Sequence, residues 1–116
     1  MEDFYTIAVP LNEKGLEEVD FGISNSENVK EWGLTKEQRN SLLEKILYQM
    51  AVEYHIPYMD YDEETCIPKE CVSDVNEILK DKYILFNQAW DVEGYNFLKE
   101  ALQLAKEKKM PVYLFF

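Results

Sequence analysis

Four prolines, Pro10, Pro57, Pro68 and Pro111, divide the chain into stretches that no helix runs through uninterrupted. Proline lacks a backbone N–H, and its ring drives the preceding residue out of the helical region. Each proline therefore marks where an element ends or begins, and the segments between them can be read separately.

Ahead of Pro10, residues 4–9 (FYTIAV) are β-branched and aromatic, the composition of a strand. Asn12 to Gly15 reads as a turn, with Gly15 free to adopt positive φ. Residues 16–23 alternate, with Val19, Phe21 and Ile23 on one face, and predict a second strand hairpinned onto the first. The polar stretch 24–33 reads as a loop. Thr35 and Gln38 match a capping box, after which Leu42, Leu43, Ile46, Leu47, Met50, Ala51 and Tyr54 recur on one helical face until Pro57. Residues 58–65 form an acidic, aromatic loop. Pro68 suits a first helical turn, and Cys71, Val72, Val75, Ile78 and Leu79 make one stripe, so the spacing predicts a helix over 68–80. Residues 83–86 (YILF) read as a buried strand. Asp91 is the expected cap of a third helix, whose lysines 106, 108 and 109 favour its C-terminal dipole before Pro111 stops it. Residues 112–116 (VYLFF) form a last strand, apolar enough that it must lie mid-sheet or in an interface.

The element order is thus β-β-α-α-β-α-β. It predicts a mixed α/β (α+β) domain: a four-stranded mixed sheet with an N-terminal hairpin, a C-terminal right-handed βαβ unit and helices packed on the sheet. The 116 residues fit one domain, 1–116, with no repeat or linker.

The formal net charge is -11, from 23 acidic and 12 basic residues. A field of that sign repels nucleic-acid phosphates and anionic membranes, which argues against direct binding to either, and it attracts basic protein surfaces. Met1, Glu2 and Asp3 do not resemble the start of a signal peptide, and the longest apolar runs are too short to span a bilayer, so the expected location is cytoplasmic. The thiols of Cys66 and Cys71 are then expected to be reduced.

Candidate sites are few. Asp60, Asp62, Glu63 and Glu64, bracketed by Tyr58 and Tyr61, lack the glycine and distal glutamate of a calcium loop. Such carboxylates on a surface can instead imitate phosphates, with tyrosines supplying flat contact area. Glu17, Glu18 and Asp20 give the expected hairpin an acidic edge, and Trp32 is either a partner anchor or a lid over the core. Cys66, Cys71 and His55 fall short of a zinc set, and His55 has no nucleophile beside it in sequence, so no metal, cofactor or catalytic residue is assigned. With 4 glycines in all and no phosphate-binding motif, one ligand position remains, Asn87, Gln88 and Asp91, after the expected third strand.

These features predict a non-catalytic inhibitor that binds a basic partner. The composition is similar to that of immunity proteins against bacterial toxin nucleases, the favoured expectation. The alternatives are a phage-encoded, anti-CRISPR-like nucleic-acid mimic that blocks a host defence nuclease, and a small nucleotide-binding or enzyme domain using Asn87 to Asp91. Oligomeric state is left open.

Overall fold

The computed structural model describes residues 5–20, 27–47, 65–67 and 69–115. Strand β1 (Tyr5–Pro10) leads to helix α1 (Glu13–Asp20) and strand β2 (Val29–Leu34). Helix α2 (Lys36–Leu42) continues as a π-helical stretch, Leu43–Leu47. Strand β3 (Thr65–Ile67), helix α3 (Lys69–Lys80), a 3₁₀ turn (Tyr83–Leu85), helix α4 (Ala89–Lys108) and strand β4 (Val112–Phe115) complete the order.

The sheet runs β2-β1-β4-β3, and every pairing is antiparallel. Its body is β2-β1-β4, to which the three-residue β3 adds a short edge. Side chains alternate across it. Ile7, Val9, Trp32, Leu34, Ile67, Val112 and Leu114 face the main core, formed with Leu42 and Ile46 of the α2 segment, Val72, Val75 and Leu79 of α3, and Leu98, Ala101, Leu102 and Ala105 of α4. The opposite face holds a smaller cluster, Ala8 and Val29 under Val19 of α1, with Tyr113 and Phe115 packed alongside.

The mixed α/β class, β1, the α2 cap, α3, α4 and β4 agree with the sequence pattern, and β4 indeed lies mid-sheet. The capping box is formed: Gln38 N donates to Thr35 Oγ1 at 3.2 Å and Thr35 N to Gln38 Oε1 at 2.9 Å.

Other expectations need correction. The second strand is instead helix α1. Asn12 is its N-cap, not a hairpin turn residue: its Oδ1 accepts from Gly15 N at 2.8 Å, while Leu16 N donates to its carbonyl at 3.1 Å. Gly15 is required by close approach rather than by positive φ, since a Cβ there would lie 2.1 Å from the Asn28 carbonyl oxygen. The expected loop at 24–33 contains most of β2. The expected strand at 83–86 is a 3₁₀ turn with only Phe86 buried, so the βαβ unit and its parallel pair do not form. Asp91 is not the N-cap of α4. That position is Gln88, and Asp91 sits in the first turn.

Candidate partner-binding surface

Charge is unevenly distributed along the chain. Residues 1–27 carry seven carboxylates against Lys14 alone, and residues 48–64 carry five against no lysine or arginine. The rest, 28–47 and 65–116, holds eleven acidic and eleven basic residues. The whole net charge of -11 therefore resides in two segments.

The first segment includes α1, which lies across the smaller sheet face. Packing of Gly15 and Val19 against that face turns Glu13 and Glu17 to solvent, one helical turn apart or about 6 Å along the axis. Glu18 is half-buried and accepts from Asn28 Nδ2 at 3.3 Å. Asp20 ends the helix. Exposed Glu27 precedes β2, and the alternation of β2 puts Glu31 on the α1 side, opposite Ala8 in register. This face offers acceptors with little cationic balance, the requirement for receiving arginine and lysine side chains.

The other helices differ. Glu70, Asp74, Glu77 and Asp81 form a stripe along α3 and just beyond it, but Lys69, Lys80 and Lys82 accompany it. The Lys80 ammonium, hydrogen-bonded to Glu77 at 2.8 Å, holds that carboxyl below the usual carboxylate range.

Of the residues singled out from sequence, Tyr58, Asp60, Tyr61, Asp62, Glu63 and Glu64 lie outside the described residues, as does His55. Glu17, Glu18 and Asp20 fall together on α1, on a helix and not a hairpin edge. Trp32 is not an exposed anchor. It is 9% exposed in the main core, its Nε1 donates to Glu100 Oε2 at 3.1 Å, and Lys30 lies over its ring. Sequence reading missed Glu13, Glu27 and Glu31, although the one-sided charge of residues 1–27 was available as a signal.

The ligand position at Asn87 to Asp91 does not assemble. Asn87 and Gln88 are exposed, whereas Asp91 is buried and accepts from Ser41 Oγ and Lys45 Nζ. Its carboxylate fastens α2 to α4. Among the described residues no group of three or more His, Cys, Asp or Glu is placed to hold a metal ion, and no helix is long and apolar enough to cross a membrane. Cys71 is a half-buried free thiol on α3, and Cys66 lies in β3.

No protein-family model matches the sequence, and no curated protein matches it. Among solved structures the fold is similar to that of the Neisseria DNA mimic protein DMP12, with a TM-score of 0.55 and 18% identity over 98% of this chain and 99% of that one.

Proposed function

We infer that this protein imitates the charge of nucleic acid and occupies the basic surface on which a DNA-binding protein holds DNA. The observation that carries the reading is the partition of charge: eleven unbalanced negative charges in residues 1–27 and 48–64, on a fold similar to that of a protein described as a DNA mimic. Duplex DNA carries one charge per 1.7 Å of axis, so this excess equals that of roughly 19 Å of duplex.

Carboxylates substitute for phosphates because both accept forked hydrogen bonds from arginine and attract lysine. The long-range field raises the encounter rate with a basic partner, and contact then excludes DNA from the same surface. In this reading Glu13, Glu17 and Glu27 form one charged edge, supported by Glu18, Asp20 and Glu31. Asp60, Asp62, Glu63 and Glu64, with Tyr58 and Tyr61, supply the other. The work is done in the cytoplasm. A toxin nuclease neutralised by an immunity protein is a special case, as is a defence nuclease blocked by a phage inhibitor. No residue of this chain selects a nuclease over a non-cleaving DNA-binding protein, so the partner is specified by its DNA-binding surface.

The test is capture followed by competition. The immobilised protein is exposed to host lysate at low salt and then washed with short duplex DNA. Basic DNA-binding proteins are expected to be retained and to leave with the duplex. Retained proteins that stay bound against saturating duplex would exclude mimicry.

A further inference from the structure

Five large apolar side chains stand in solvent within ten residues. Tyr83, Ile84 and Leu85 form the 3₁₀ turn, Trp90 and Val92 lie in the first turn of α4, and their exposures are 61, 70, 40, 44 and 37%. Among the described residues every large apolar side chain this exposed belongs to that stretch. Tyr83 and Val92 also line one open cavity of about 450 Å³, with buried Phe86 and Tyr95 beneath and Lys80 and Lys99 at its rim. Scattered exposed apolar groups are ordinary, but a run of this kind is the mark of a contact surface. Tyr and Trp are also among the residues enriched at the centres of interfaces.

We propose that this patch is where two copies of the chain pair about a two-fold axis. The charge around it selects that occupant. Lys80 and Lys99 line the cavity, Asp81, Lys82 and Glu93 adjoin its lining residues in the chain, and residues 65–116 as a whole are nearly balanced. A two-fold contact brings each rim against itself, so a rim of one sign repels its copy while a rim of both signs pairs lysine with carboxylate. A strongly basic partner is steered instead to the α1 face, where Glu13 and Glu17 are exposed with little cationic balance. Five side chains are few beside the roughly 20–30 residues that a standard interface uses on each side, so the pairing depends on concentration. The patch belongs to the helical layer on the main-core face, opposite the sheet face that carries α1, so the proposal is separate from the α1 surface of the mimic reading.

The test is sedimentation equilibrium of the full chain from roughly 10 µM to 1 mM, with Ile84→Glu beside the wild type. The wild-type mass should rise toward twice the 13.8 kDa of one chain. Ile84→Glu should remain monomeric with unchanged circular dichroism. Trp90 emission should shift to shorter wavelength with concentration in the wild type only, and Trp32, already in the core, should not contribute. Three results overturn the proposal: a monomer throughout the range, a dimer that persists in Ile84→Glu, or loss of partner binding in Ile84→Glu by a chain that is monomeric throughout, which would assign the patch to the partner.

Discussion

Lys45 and Asp91 fasten the second helix to the fourth: the ammonium lies 2.5 Å from a carboxylate oxygen, and the aspartate side chain is 1% exposed against 32% for the lysine. The two ends of the pair are therefore unequal. Lys45 can turn to water if its partner is lost, whereas Asp91 cannot. Lys45→Met should cost about 3 kcal/mol, because it leaves a buried carboxylate with only Ser41. The double variant Lys45→Met/Asp91→Leu should recover at least half of that. Urea unfolding of the wild type, Lys45→Met, Asp91→Leu and the double variant closes the cycle, and simple additivity would show that the pair contributes nothing as a pair.

Glycine has opposite meanings at two positions. At Gly15 an added Cβ would meet an Asn28 carbonyl that already accepts from Leu11 N at 2.8 Å, so neither side can yield cheaply. Gly15→Ala should lift α1 and destabilise by about 2 kcal/mol or more. At Gly33 nothing lies within 4 Å of the added Cβ, and Gly33→Ala should be neutral or stabilising by up to ~1 kcal/mol. Thermal melts separate the two, and equal effects would refute the close-approach account of Gly15.

Burial raises the Tyr95 hydroxyl above its ordinary range, with Asp81 and Tyr83 adding to the effect, while the hydroxyl donates to the Leu79 carbonyl at 2.7 Å. The folded state thus holds this proton more tightly than the unfolded chain, where tyrosine ionises near pH ~10. The stabilisation is complete below that pH and is lost as pH rises from there through the folded value. Tyr95→Phe should cost about 1 kcal/mol at neutral pH. The gap between wild type and variant should narrow above pH ~10. A gap constant from pH ~8 to ~11 would contradict this.

Charge position, and not total charge, should govern partner binding. Glu17→Lys/Glu27→Lys alters the α1 side, and Asp60, Asp62, Glu63 and Glu64 reversed together alter the other acidic segment. The first should weaken binding about tenfold and flatten its salt dependence, and the second should abolish binding. Glu107→Lys, in the balanced part of α4, should change affinity by less than about twofold. Titration at two salt concentrations decides, and equal losses from Glu107→Lys and Glu17→Lys would remove α1 from the interface.

Elements whose own residues carry a complete signal were readable directly. Helix α3 follows from the stripe Val72, Val75 and Leu79, and α2 begins at the Thr35–Gln38 box. The errors fall where one residue supports two local readings. Asn12 favours a turn and a helix N-cap through the same side-chain acceptor, and choosing the turn made α1 a strand. Strand β2 hides behind Lys30, Glu31 and Gly33, because its inward residues Trp32 and Leu34 reveal a strand only when β1 is set beside them. Tyr83 to Leu85 has strand composition, yet the place beside β4 that a βαβ unit would give it is taken: β4 already has β1 and β3 as neighbours. Of the candidate surface, the acidic α1 cluster was legible as composition. Its geometry depended on a helix packing that local sequence did not specify.

The placement of β4 has a consequence for biosynthesis. β1 emerges from the ribosome about a hundred residues ahead of one of its sheet neighbours, since Thr6 aligns with Phe115. Until then one edge of β1, with the buried Ile7 and Val9, lacks its ladder. The nascent chain must carry that open edge until β4 is made, the condition under which strands recruit wrong partners. Closure depends on contacts between distant parts of the chain and is correspondingly slow. The acidic residues at 1–27 flank that waiting strand, and like charge of this kind opposes its association with the same strand of another nascent chain.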